Sequence, residues 1–128
     1  MNLPIINLET AKDLKELGFD WITDYQYFFE NNQWILKQFR RVQPSMGKPT
    51  PIMAPFQAEV LKWLREECNY HIYVWHDWDW EYIIQEISEY KDEEIDTNFG
   101  YETFQQAELA GIKKAIEIKK ERNYETNN

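Results

Sequence analysis

The stretch YHIYVWHDWDWEYIIQEI, residues 70–87, carries the strongest strand signal in the chain and decides the fold. It holds three of the six tryptophans and three of the eight tyrosines, and aromatic and β-branched residues are typical of strands. We predict a hairpin, Tyr70–Trp75 and Trp80–Ile87, joined by a polar turn at 76–79. Alternation along the strands predicts a buried face formed by Ile72, Val74 and Ile84. The alternate positions, with partial exposure, are His71, Tyr73, Glu81 and Gln85.

Two helices are predicted before this hairpin. Asn7 is a good N-cap for a helix whose apolar residues recur at helical spacing, and Gly18 is a good C-terminal stop. Phe19 would then fold back on Leu14. A second helix is predicted from Phe56 to Cys68, with Cys68 on its apolar face as a buried core residue.

A third helix is predicted from Phe104 to Lys120. Thr103 and Gln106 form a capping box at its start. Its innermost line carries three small residues, which let the helix backbone approach a sheet closely: Ala107, Gly111 and Ala115. We expect the tail at 122–128 to fray.

Another hairpin is predicted near the start of the chain, from Trp21–Phe29 and Trp34–Phe39. Asparagine tolerates positive φ, so Asn31-Asn32 is a suitable reversal between these strands. Residues 40–55 contain several prolines, which fix φ and remove backbone donors, and we predict a long loop without regular structure there.

Together these elements predict an α+β fold in the order α-β-β-α-β-β-α. We expect a two-layer arrangement, with three helices on one mainly antiparallel sheet of about four strands. The length of 128 residues predicts a single domain spanning 1–128. One cysteine, no secretion signal and no apolar run of roughly 20 residues predict a cytoplasmic protein without a membrane partner.

The net charge of −9 is concentrated in one part of the chain. Between Asp77 and Glu102 there are ten acidic residues and one base, whereas the remainder has thirteen of each. Duplex nucleic acid is therefore a poor partner for this stretch, because binding it requires basic side chains that release phosphate counterions. Four bases and no acid lie between Lys37 and Lys48, and we interpret this segment as a solvated face.

Three sets of residues carry a resemblance to a known family. They are Leu8–Lys12 with Gly18-Phe19, Lys62–Glu66 leading into His71-Ile72, and Tyr101–Thr103 with the three small residues of the last helix. In these the chain resembles the small, acidic, uncharacterised proteins of gut Bacteroidetes, their phages and mobile elements. The resemblance spans most of the chain, and it departs at Phe56 and Arg40-Arg41. It implies an intracellular accessory protein of phage or mobile-element origin, and it assigns a function to no individual residue.

Enzyme chemistry has little support in the sequence. A metal-dependent or acid–base site could use His71, His76, Asp77 and Asp79, but histidines five apart on one strand face opposite ways. The glycines are scattered, so no phosphate-binding loop is formed, and no nucleophile stands beside a base. We predict no cofactor and no catalytic residue, and favour a non-enzymatic function while keeping this site as the alternative.

The favoured hypothesis is an acidic face at 77–102 that binds a protein partner, and charge complementarity favours a basic one. The candidate partner-binding residues are Trp78, Asp77, Asp79, Asp92, Glu93, Glu94 and Asp96. Trp78 lies at the predicted turn and should be exposed. For Trp75 and Trp80 we favour core packing over stacking on bases or sugars. A homo-oligomer is a further alternative, because the lysine-rich end of the last helix complements this face.

Overall fold

The structure, a computed structural model, describes residues 4–39 and 49–127. The helices are α1 (Leu8–Glu16), α2 (Gln57–Cys68) and α3 (Phe104–Asn127), and the strands are β1 (Tyr25–Glu30), β2 (Gln33–Gln38), β3 (Ile52–Met53), β4 (Tyr70–His76), β5 (Trp80–Glu86) and β6 (Glu93–Tyr101). The predicted α+β class is confirmed, as is the order of helices and hairpins. The structure adds two strands, β3 and β6.

The strands form two three-stranded antiparallel sheets, β2-β1-β3 and β4-β5-β6, where we predicted one sheet of about four strands. The chain divides into two compact units, Met1–Glu59 and Val60–Asn128, and each contains one of the sheets. The additional strands escaped prediction because their sequences carry little strand signal. β3 has only two residues, and β6 is exposed along most of its length, so neither has an apolar alternation to recognise. A single domain over 1–128 stays a prediction.

Helix α1 begins and ends as its sequence predicts. The Asn7 side chain accepts a hydrogen bond from the Thr10 N–H at 2.9 Å. At the other end Gly18 has a φ of 95°, the Gly18 N–H donates to Lys15 O at 3.1 Å, and the Phe19 N–H donates to Leu14 O at 2.9 Å. These two bonds define a Schellman motif, which satisfies the last carbonyl groups of the helix.

Replacing Asn7 by alanine is expected to lower the free energy of unfolding by about 1 kcal/mol, because the Thr10 N–H loses its side-chain acceptor. Urea denaturation followed by far-ultraviolet circular dichroism measures the change. Asn7→Asp is the control, since it keeps the acceptor and adds a negative charge that the helix dipole favours. Equal stability of the alanine variant and the wild type would contradict the capping role.

The first hairpin has the predicted reversal. Asn31 and Asn32 have φ values of 51° and 62°, and Glu30 pairs with Gln33 across this two-residue loop. The predicted start at Trp21 is wrong, because β1 begins at Tyr25. The Thr23 hydroxyl instead donates to Tyr25 O at 2.6 Å, which fixes a non-extended entry to the strand.

The predicted loop at 40–55 is wrong at its C-terminal end. Ile52 and Met53 form β3 and pair with Tyr27 and Gln26 of β1. A strand this short makes few ladder bonds, so it tolerates the flanking prolines. The remainder of the predicted loop from 40 to 48, with its basic residues, lies outside the described residues.

In the second unit, β4 and β5 pair with Ile72 opposite Ile84, as the predicted hairpin requires. Helix α3 contacts this sheet so closely that a Cβ added at Gly111 would lie 2.9 Å from Ile72 Cγ2 and 3.1 Å from Tyr82 Cβ. Ala107 and Ala115 are fully buried on the same side of the helix. The prediction that small residues bring the helix backbone onto the sheet is therefore confirmed.

The predicted end of the last helix at Lys120 is wrong, since α3 continues to Asn127 and residues 122–127 of the predicted frayed tail are helical. Arg122 gives this end of the helix a fixed partner. Its guanidinium donates to the Tyr70 hydroxyl at 2.9 Å and to the Glu86 carboxylate. A hydrogen bond to a carboxylate raises the pKa of Arg122. These contacts offset the fraying expected of a terminal helix segment.

Candidate protein-interaction surface

The acidic stretch at 77–102 occupies one sheet of the second unit. It comprises the β4–β5 turn, β5, the β5–β6 loop and β6, and we call its acidic side chains the acidic surface. Helix α3 contacts all three strands of this sheet. Strand β6 is an edge strand, hydrogen-bonded to β5 alone within the described part of the chain.

At one end of the sheet lies the β4–β5 turn, which we call the hairpin end: Asp77, Trp78 and Asp79. The Asp77 N–H donates to Asp79 O at 3.1 Å, which closes the turn. Trp78 at its apex is 93% exposed. An indole left in water forgoes the burial that makes tryptophan favourable in cores and interfaces. The predicted exposure of Trp78 is confirmed, and the ring is available to a partner.

The base of this turn is ordered by aromatic contacts. The His76 and Trp80 rings lie 4.7 Å apart between centroids, and the Trp80 ring meets Phe104 edge-on at 5.7 Å. Trp80 is half-buried, in line with the core packing that we favoured. The turn that carries Trp78 is thus supported by packed side chains at its base.

At the other end of the sheet lie the β5–β6 loop and the start of β6. We call this region the loop end, and its residues are Glu89, Tyr90, Asp92, Glu93 and Glu94. The Ser88 hydroxyl accepts the Lys91 N–H at 3.0 Å and donates to Lys91 O, which holds the loop closed. All five side chains are exposed, and Tyr90 is 92% exposed. Sequence reasoning missed Tyr90. The one feature of the sequence that could have indicated Tyr90 is an aromatic residue in an acidic segment without apolar periodicity.

The structure does not bring Trp78 together with the acidic residues of the loop end. Glu93 pairs with Glu86, the last residue of β5, whereas the turn with Trp78 precedes the first residue, Trp80. Seven residues of strand separate them, or roughly 20 Å at about 3.3 Å per residue. The acidic surface therefore has two ends, each with an almost fully exposed aromatic ring.

Asp96 has a side-chain hydrogen-bond partner, whereas the acidic side chains of the loop end have none within residues 4–39 and 49–127. It is half-buried and accepts a hydrogen bond from the Tyr82 hydroxyl at 2.6 Å. Tyr82 is only 3% exposed, and burial, reinforced by this hydrogen bond to Asp96, raises its pKa. The Thr97 hydroxyl donates to Tyr82 O at 2.9 Å. This part of β6 serves to hold Tyr82 in place beneath α3.

Core packing is wrong for Trp75, which is 49% exposed. Strand alternation explains the difference. Ile72 faces α3, so the odd-numbered positions Tyr73 and Trp75 point to the opposite side of the sheet. Trp75 pairs across the strands with Glu81. This face thus presents aromatic rings beside a carboxylate.

The two histidines of the alternative metal or acid–base site lie on opposite faces of β4. His71 stacks on Tyr73 at 5.7 Å, whereas His76 lies against Trp80 on the other face of β4. Over residues 4–39 and 49–127 no three histidine, cysteine or acidic side chains are close enough to hold one metal ion. Cys68 is buried as predicted, and burial raises the pKa of its thiol.

In the described ranges no helix has the length and apolar character needed to cross a membrane. Comparison with protein-family models, with curated proteins and with solved structures gives no match for this chain.

Proposed function

We propose that this chain is a non-enzymatic accessory protein of phage or mobile-element type that binds a basic protein partner through the acidic surface. The observation that carries the proposal is the charge distribution: the ten acids of residues 77–102 account for the whole net charge, and they flank two almost fully exposed aromatic rings. The phage or mobile-element origin rests on the sequence resemblance alone.

Charge and aromatic side chains would contribute differently to such binding. Exposed carboxylates steer a basic partner and raise the association rate, while single exposed ion pairs add little affinity. An aromatic ring that becomes buried in the interface supplies the anchor. The acidic surface offers both kinds of group, with Trp78 at the hairpin end and the densest exposed charge at the loop end.

One partner of ordinary size can contact both ends. A standard interface buries about 800 Å² on each protein, which corresponds to a patch roughly 30 Å across. The roughly 20 Å between the ends lies within that span. The two ends can thus serve one binding event.

The test compares variants that share one net charge. Asp92→Asn/Glu93→Gln/Glu94→Gln neutralises the loop end, and Asp96 stays unchanged because it accepts from Tyr82. The control is Glu67→Gln/Glu121→Gln/Glu125→Gln, three exposed acids outside the acidic surface. Both variants have a net charge of −6, three units above the wild-type −9. A third variant, Trp78→Ala, removes the hairpin-end ring.

Tagged wild-type protein is used to capture a partner from lysate of a gut Bacteroidetes species, and the purified partner is then titrated at about 0.05 M and about 0.5 M salt. We expect the loop-end variant to bind about 10-fold more weakly at low salt and with a smaller salt dependence. Trp78→Ala should weaken binding about 30-fold at both salt concentrations. The charge-matched control should bind as the wild type does.

Equal losses in the loop-end variant and its control would mean that only net charge matters, and would refute a localised surface. Unchanged binding in all three variants would refute the proposal outright.

A further inference from the structure

A groove in the first unit is lined by lysine and apolar side chains, in contrast to the acidic surface. It has a volume of about 500 Å³, within the usual range for small-molecule sites. Three segments form it: α1, the start of β2, and the chain entering β3. The lining residues used below are Lys12, Lys15, Glu16, Trp34, Thr50 and Ile52.

One wall of the groove is the Trp34 indole, and its orientation is fixed. Trp34 pairs across the hairpin with Phe29, whose ring meets the indole at 5.3 Å and an interplanar angle of 62°. The Lys12 ammonium lies 5.5 Å from the centroid of the Trp34 ring. Ile52, which is buried, supplies an apolar contact surface. A rigid aromatic wall of this kind suits the stacking of a planar ring.

The other wall is positively charged. Lys12 and Lys15 lie three residues apart on α1 and therefore on one side of the helix. Both are exposed, and within the described ranges neither forms an ion pair. Together with Glu16, these lysines give the described lining residues a net charge of +1, in a chain whose net charge is −9. An anion is therefore the favoured ligand of this groove.

We propose that the groove binds a small planar anion, with an aromatic ring stacked on Trp34 and a phosphate or carboxylate group held by Lys12 and Lys15. The ring of the ligand takes the place that the Lys12 ammonium occupies on the indole. The ammonium then contacts the anionic group instead. Thr50 at the rim offers a hydroxyl donor to the same group. This site is independent of the acidic surface.

The test uses ligands that separate the ring from the charge. Adenosine 5′-monophosphate is compared with adenosine and inorganic phosphate, and indole-3-acetate with indole and acetate. Binding is followed through the Trp34 indole N–H resonance of the whole chain, assigned with Trp34→Phe, and binding to Trp34→Leu, which lacks that resonance, is followed by isothermal titration calorimetry. The variants are Lys12→Gln, Lys15→Gln and Trp34→Leu, and the control is Lys62→Gln, an exposed lysine on α2.

We expect at least one complete ligand to shift the Trp34 resonance saturably, while its ring alone and its anion alone bind at least about 5-fold more weakly. The complete ligand that binds better shows which combination of ring and anionic group the groove favours. Each groove lysine variant should raise Kd about 3-fold to 10-fold, and Lys62→Gln should leave it unchanged.

Two results would overturn the site. The first is no shift by either complete ligand at about 10 mM, which would detect even a millimolar Kd. The second is a shift by inorganic phosphate or acetate alone as strong as that by the complete ligand, with Trp34→Leu binding normally. Because Lys12→Gln and Lys15→Gln change exposed side chains, the site can be tested even where Trp34→Leu fails to fold.

Discussion

Replacing Gly111 by valine is expected to lower the free energy of unfolding by about 3 kcal/mol and the Tm by roughly 10 °C. A Cβ at this position would lie 2.9 Å from Ile72 Cγ2 and 3.1 Å from Tyr82 Cβ and Cγ. Atoms at those distances overlap, and Tyr82 Cβ is too close to the backbone to move aside. Helix α3 would therefore have to shift away from the sheet.

Intrinsic helix propensity alone predicts a smaller effect of the opposite sign, since almost any residue is preferred to glycine inside a helix by up to about 1 kcal/mol. Lys113→Val is the matched control, because it places the same side chain on an exposed position of α3. Thermal and urea unfolding should show a loss of only a few tenths of a kcal/mol for this control. A Gly111→Val variant as stable as the control would refute the close contact of α3 with the sheet.

Local signals predicted the helix start and both hairpins because those features depend on a few adjacent residues. Asn7 caps α1 through a neighbouring N–H group, and the positive φ of Asn31 and Asn32 follows from the local preference of asparagine. The two additional strands, β3 and β6, could not be predicted in that way. β6 gains its stability from pairing with β5, and its exposed acidic residues resemble those of a loop. The predicted sheet of about four strands is instead two sheets of three strands.

Strand β6, which was not predicted, also explains why the candidate site could be predicted only in part. Exposure of Trp78 follows from its place in a turn, so the sequence was sufficient. The distance between Trp78 and the loop end follows from the register of β6, which places Glu93 beside Glu86. Without that strand, residues close in sequence were expected to form one face. The groove at Trp34 was also missed, because its lining comes from three separate segments.

Alkaline pH is expected to destabilise the second unit, and Tyr82 alone should contribute about 1 kcal/mol of this loss between about pH 10 and about pH 11. Burial raises the pKa of Tyr82 and also that of Tyr70, although the Arg122 charge opposes the shift at Tyr70. In the unfolded chain both phenols ionise near pH 10. The folded state therefore retains protons that the unfolded state has released, and stability falls as the pH rises.

The sign follows from proton counts. Below about pH 10 both states keep the phenolic protons, so the stabilisation is fully present. Between that pH and the raised pKa of the folded state, the loss per buried tyrosine steepens towards a limit of about 1.4 kcal/mol per pH unit. Urea unfolding at a series of pH values measures the slope. Repulsion between the negative charges of the whole chain also increases in alkali. The slope of stability against pH must therefore be compared between variants.

Tyr82→Phe isolates the contribution of one phenol. At pH 7 this variant should be about 1 kcal/mol less stable than the wild type, because the hydrogen bond to Asp96 is lost. It also has one titrating group fewer, so its stability should fall less steeply and the two curves should meet near about pH 11. Tyr90→Phe, which removes an exposed phenol from the loop end, is the control variant. Parallel curves for Tyr82→Phe and the wild type would mean that Tyr82 ionises equally well in both states, which its burial beneath α3 forbids.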